Sequence, residues 1–117
     1  MELYLNETLI HADPAEDEVR AAFERLRGGG EGSLVLVAGA RSSLEVFRGE
    51  EGAFGVTLEK GRAQYGVFLH EDLSGRAVEA MVEYLRGGTP MLVDPRLYAY
   101  DADCPLCAAM AAAEARG

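Results

Sequence analysis

Two cysteines that lie three residues apart have the spacing in this chain that most directly suggests chemistry. They occur in the segment Asp103-Cys104-Pro105-Leu106-Cys107, just before the Ala-rich residues 108–115. Pro105 suits the first turn of a helix, which would place Cys104 near the helix cap and Cys107 within the first turn. This placement allows the two sulfurs to lie close together. A helix N-terminus favours a thiolate, so the pKa of these thiols is expected to be lowered.

Three interpretations of this cysteine pair stay open: two unmodified thiols beside a packed helix end, half of a tetrahedral zinc site, and a dithiol–disulfide couple. A zinc ion takes four ligands, whereas the chain has only two cysteines. The ligands available to complete a site are the same pair from a second chain, or His11, His70, Asp101 and Asp103. The redox interpretation lacks a thioredoxin-like context, because the motif follows a tail and not a strand.

The other reactive residue types lack a recognisable catalytic pattern. Ser42-Ser43 is not set in a nucleophile elbow, and residues 28–32 are glycine-rich but precede a strand and lack the Lys-Ser/Thr of a phosphate-binding loop. His11 and His70 each lie near acidic residues and are interpreted as surface histidines. The sequence therefore predicts a protein without catalytic residues, in which zinc is the one cofactor that the cysteines suggest.

The charge balance limits the classes of partner. The 117 residues include 11 basic and 20 acidic side chains, a formal net charge of −9. This balance argues against nucleic acids and acidic membranes as partners, because binding phosphate needs concentrated Lys and Arg. The start of the chain lacks the basic residues of a signal peptide, and the longest apolar run, Leu34 to Ala40, is too short to span a bilayer. We therefore expect a cytoplasmic protein.

Hydrophobic periodicity predicts the elements that must position these residues, beginning with a short strand over residues 2–6. Asp13-Pro14-Ala15-Glu16 then predicts a helix start, with Asp13 as the cap and Glu16 reaching back to it. Glu16 and Arg20 are expected to pair on the wet side of this helix. Its apolar stripe has helical spacing and consists of Val19, Ala22, Phe23 and Leu26.

Four strand-like segments and a second helix follow. The strands are expected at 33–38, 44–47, 54–59 and 64–69, and the continuously apolar Ser33–Ala38 is expected to be covered on both faces. Short links containing glycine join antiparallel neighbours, which predicts a meander. The second helix is expected from about Gly75 to Arg86, capped by Ser74 or Asp72.

The resulting order, β-α-β-β-β-β-α, predicts a two-layer α+β fold in which an antiparallel β-meander packs against two helices. Residues 1–93 are expected to form a single domain. Residues 94–117 are expected to form a C-terminal arm and a short Ala-rich helix that carries the Cys104/Cys107 pair.

The stretch from Ala77 to Pro90, AVEAMVEYLRGGTP, resembles the terminal helix and turn of small bacterial immunity proteins, the antidotes of secreted toxin systems. The resemblance covers residues 33–93 and includes the hairpin-like segments around Leu44 and Phe54. The Trp common at the end of that pattern is missing, and Met91-Leu92-Val93 stands in its place. The resemblance implies an acidic single-domain protein that binds and masks another protein.

Binding to other proteins is thus the expected function. An acidic domain is steered onto a basic partner, and apolar residues on both sides of the strands suggest a homodimer as well. Phe47, Tyr65 and Phe68 cannot all face one helical layer, so the exposed sheet face is a predicted contact surface. The tail bearing Tyr98 and Tyr100 is the other.

Overall fold

The structure is a computed structural model that describes residues 1–49, 52–61, 63–69 and 73–93. These residues form one antiparallel sheet with two helices on one side. The sheet order is β2-β1-β3-β4-β5-β6. The two-layer α+β fold is as predicted, while the arm and Ala-rich helix at 94–117 lie outside the described residues. The elements are β1 (Glu2–Leu5), β2 (Thr8–His11), α1 (Glu16–Gly28), β3 (Gly32–Gly39), β4 (Ser42–Arg48), β5 (Phe54–Lys60), β6 (Ala63–Leu69), α2 (Ser74–Leu85) and a 3-10 helix (Met91–Val93).

The core lies between the sheet and the two helices. Alternate residues of β1 and of β3 to β5 point into it, and the predicted stripe of α1 is buried against them. Phe23 of α1 and Phe54 of β5 are both almost fully buried, with ring centroids 5.7 Å apart. Burial of aromatic side chains of this size supplies much of the energy that joins the two layers.

The strand β2 is an addition to the predicted order, which had a direct link from the first strand to the first helix. A two-residue turn, Asn6-Glu7, joins β1 to β2, and both residues have positive φ, 49° and 68°. Such turns match the twist of a hairpin but usually contain glycine, and Asn6-Glu7 lacks this signal. Asn6 Oδ1 accepts a hydrogen bond from the Ser33 N–H at 2.9 Å, which ties the turn to β3.

The first helix begins two residues later than predicted. Ala15, not Asp13, is the cap residue, and its N–H donates to Glu18 Oε1 at 2.9 Å. The backward reach assigned to Glu16 is thus made by Glu18. Glu16 forms the predicted ion pair with Arg20, at 3.1 Å.

The prediction that β3 is covered on both faces was wrong. Leu34 and Leu36 are buried under the helices, whereas Val35 and Val37 lie on the opposite face of the sheet and are half-buried. Both helices pack on the core face, so the valines depend on neighbouring strands for their partial cover. We call this opposite face, which neither helix covers, the open face. No helix in the described part of the chain is long and apolar enough to cross a membrane.

Candidate functional site

His11, one of the predicted metal ligands, is the last residue of β2 and contacts the start of α1. Its Nδ1 lies 2.9 Å from Glu18 Oε2. The same carboxylate accepts the Ala15 N–H through its other oxygen. Glu18 therefore joins the end of β2 to the helix cap, and this contact gives His11 a structural role.

The remaining predicted ligands, Cys104, Cys107, His70, Asp101 and Asp103, lie outside the described residues, as do Tyr98 and Tyr100 of the predicted contact tail. Within the ranges that the structure describes, no three His, Cys, Asp or Glu side chains form a group that could hold a metal ion. The zinc and dithiol interpretations both stay predictions.

The open face combines apolar side chains with carboxylates. Strand pairing places Thr57, Glu45, Val35, Tyr4 and Leu9 in one continuous row across five strands. A second row runs beside it and contains Gln64, Glu59, Ser43, Val37 and Glu2. Because alternate residues of each strand share a face, these rows form a single surface.

Three carboxylates lie on the open face, those of Glu2, Glu45 and Glu59, and none of the described open-face positions is Lys or Arg. Burial raises the pKa of the Tyr4 hydroxyl, and the neighbouring Glu2 carboxylate raises it further. The open face therefore presents negative charge beside apolar surface. In the sequence, the alternation Leu44-Glu45-Val46 already places one of these carboxylates opposite the core.

Two phenylalanines form an aromatic corner at one end of the open face. Phe47 of β4 and Phe68 of β6 meet edge to face, with ring centroids 6.0 Å apart and planes at 84°. Gly55 lies between them on β5, and the Phe47 ring covers it so closely that a Cβ at this position would overlap the ring. Phe68 is 65% exposed. Tyr65, by contrast, lies on the helical side, in agreement with the expectation that these three aromatic residues divide between the two faces.

A shallow hollow of about 570 Å³ lies on the other layer, between α2 and the 3-10 helix. Leu73, Met91 and Leu92 form its apolar part, and Arg76, Glu79 and Glu83 form its polar part. Glu83 Oε2 accepts the Met91 N–H at 2.9 Å and so fixes the 3-10 helix against α2. The described residues that line the hollow do not form an enclosed group of converging polar atoms of the kind that orients a small ligand.

An ion-pair network joins the two helices outside the core. Glu16 contacts both Arg20, at 3.1 Å, and Arg86, at 2.8 Å, and Arg20 also contacts Glu79 at 3.0 Å. Hydrogen bonds from Arg86 and then Arg20 lower the pKa of Glu16. Every member of this network pairs with another, so its geometry serves helix docking.

Comparison with known proteins adds no relative: no family model, no curated protein and no solved structure matches the chain.

Proposed function

We propose that this is a small acidic protein that acts by binding another protein and is not an enzyme, and that the open face receives a basic surface of its partner. The observation that carries the proposal is the combination of Glu2, Glu45 and Glu59 with the exposed Phe68 ring on one face of the sheet. Carboxylates steer a basic partner and set its orientation, while aromatic side chains supply contact energy.

The resemblance of residues 33–93 to bacterial immunity proteins supports a more specific form of this proposal. An immunity protein masks a toxin, and nucleases and deaminases that act on nucleic acids present basic surfaces of the kind that an acidic face fits. The cytoplasmic location that the sequence predicts agrees with such a role. The net charge of −9 argues against nucleic acid or an acidic membrane as the partner itself.

Charge reversal on the open face tests the proposal. The proteins encoded by the two genes that flank this one serve as probes. We expect one of them to be toxic when expressed alone and to be neutralised by co-expression of this chain. The double variant Glu45→Lys/Glu59→Lys should slow association at low salt by about tenfold or more, and the difference should shrink at high salt.

The matched control is Glu24→Lys/Glu31→Lys, which changes net charge equally at exposed positions on α1 and in the loop before β3. This control should leave neutralisation unchanged. Equal effects of the two double variants would reject the open face as the binding surface. Absence of toxicity and of binding from both flanking proteins would reject the immunity-like form of the proposal.

The cysteine pair favours one alternative, a zinc-binding or dithiol module. Cys104 and Cys107 have the spacing of a two-thiolate half site. Protein purified without chelator would then contain zinc that the variant Cys104→Ser/Cys107→Ser lacks, or would lose two titratable thiols on mild oxidation. Metal-free protein with two thiols that titrate under both conditions would reject this alternative.

A further inference from the structure

The outer edge of β6 differs from the opposite edge of the sheet. β2 has four residues and pairs with β1 through a bulge between Leu3 and Tyr4, features that limit pairing with a further strand. β6 has seven residues, contains no charge and no proline, and pairs with β5 in unbroken register from Ala63 to Leu69. Within the described residues no strand pairs with its outer side.

An edge strand of this length and composition is a site for strand addition, because the N–H and C=O groups along an outer edge can pair with a further strand. We propose that β6 pairs antiparallel with β6 of a second copy of this chain, about a two-fold axis at Gly66. The two six-stranded sheets then join into one continuous sheet.

The side chains of β6 fit this two-fold register. Leu69 lies opposite the partner's Ala63 and Phe68 opposite the partner's Gln64, so a large side chain meets a smaller one in both pairs. Tyr65 lies opposite the partner's Val67, an aromatic and β-branched combination that stabilises cross-strand pairs. Self-complementarity of this kind favours a second copy over an unrelated strand.

The register also accounts for the exposure of Phe68. On the open face, Phe68 is diagonal to the partner's Gly66, a distance that an aromatic side chain spans. Contact with the partner strand beside Gly66 would bury part of the Phe68 ring, which is 65% exposed in the single chain.

The arrangement closes after two copies. Each chain has one β6 edge, and β2 at the other edge is short and bulged, so pairing stops at a dimer instead of continuing into a fibre. The two open faces lie side by side in this dimer. The proposal does not depend on the proposed function, because β6 pairing needs no other protein.

Substitutions at Gly66 test the register. A Cβ at this position meets Thr57 Oγ1 and the Val56 carbonyl oxygen at 3.5 Å, an ordinary contact distance, so a side chain fits the single chain. In the dimer, position 66 faces itself across the axis. Gly66→Glu and Gly66→Lys each place like charges opposite one another and should raise the dimer dissociation constant at least about tenfold.

Mixing the two variants provides the decisive measurement. Native mass spectrometry and light scattering of the full chain should show a dimer for the unmodified protein and for Gly66→Thr, monomers for each charged variant alone, and a mixed dimer when Gly66→Glu and Gly66→Lys are combined. Urea unfolding of each variant confirms that it is folded. An unmodified protein that stays monomeric up to high concentration would overturn the proposal and indicate that another part of the chain covers β6. Charged variants that dimerise as well as the unmodified protein, or a mixture without mixed dimer, would overturn it too.

Discussion

The close contact between Phe47 and Gly55 predicts that adding one methyl group to the open face destabilises the protein. Alanine in a strand is normally favoured over glycine by about 0.5–1 kcal/mol. In Gly55→Ala, however, the new Cβ overlaps the Phe47 ring, which must move off its place beside Phe68. Displacing the half-buried ring loses its edge-to-face contact with Phe68 and its cover of β5, about 1–3 kcal/mol together, so the net loss in the free energy of unfolding should be about 0.5–2 kcal/mol.

A double-mutant cycle isolates this clash. When Phe47→Ala is already present, the obstacle is gone, and adding Gly55→Ala should stabilise the protein by about 0.5–1 kcal/mol. The coupling between the two positions is then about 1–3 kcal/mol, the cost of displacing the ring. Urea unfolding followed by circular dichroism measures all four proteins, and an unchanged m-value shows that the unfolded states are comparable.

Gly66 provides the matched control for this cycle. It lies on the same face of the adjacent strand, but a Cβ there has only ordinary contacts at 3.5 Å. Gly66→Ala should therefore stabilise by about 0.5 kcal/mol whether or not Phe47 is present. Stabilisation of the unmodified protein by Gly55→Ala, or an effect that does not depend on Phe47, would show that the ring does not obstruct position 55.

Three further predictions concern the core, the helix interface and the first hairpin. Phe54→Ala should lower the free energy of unfolding by about 3–5 kcal/mol, measured in urea, because it empties a fully buried site in the core; a loss below about 1 kcal/mol would contradict the burial. Arg86 and Arg20 lower the pKa of Glu16, so the ionised carboxylate contributes stability at neutral pH that is lost as pH falls from its ordinary value of 4.5 through the lowered value. Glu16→Gln should therefore reduce the drop in urea midpoint between about pH 5 and about pH 3, and an equal drop in both proteins would contradict this assignment. Glu7→Gly should raise stability by about 0.5–1 kcal/mol. The left-handed conformation costs a residue with a side chain about 1–2 kcal/mol, and the larger backbone entropy that glycine loses on folding offsets part of the gain. A lower melting temperature would show that the Glu7 side chain contributes more to stability than its backbone conformation costs.

The amphipathic helix and strands were predictable because the spacing of their apolar residues has the period of a helix or of a strand. The stripe of α1 from Val19 to Leu26 and the alternation of β5 from Phe54 to Leu58 both occur where the pattern placed them. Burial of one face decides these elements, and burial follows directly from residue type and spacing.

The first hairpin and the cover of β3 were not predictable in the same way. Asn6 and Glu7 form a turn that depends on two positive φ values and on the contact of Asn6 with the distant Ser33, and residue type alone signals neither. A continuous apolar run such as Leu34 to Val37 suits a strand covered on both faces or one with a half-covered open face. Which of these two arrangements forms depends on how β3 pairs with β1 and β4 and on where the helices pack. Both depend on the whole sheet and not on the β3 segment alone.

The acidic open face was predictable only in part. The division of Phe47 and Phe68 from Tyr65 followed from alternation, and it indicated an exposed sheet face. The gathering of Glu2, Glu45 and Glu59 into neighbouring rows depends on the register of four strands. Residue alternation predicts which side chains of one strand share a face, whereas the register between strands depends on turns and packing.

The order in which the strands join has a consequence for folding. β3 to β6 follow one another through short links, whereas β1 pairs with β3 only after the whole of α1 has intervened. Local pairs close at low entropic cost, so we expect the four-stranded meander to organise early and the N-terminal hairpin to dock late. Hydrogen exchange at β1 and β2 should accordingly be faster than at β4, since the last hairpin to join the sheet is also the one that leaves it most readily.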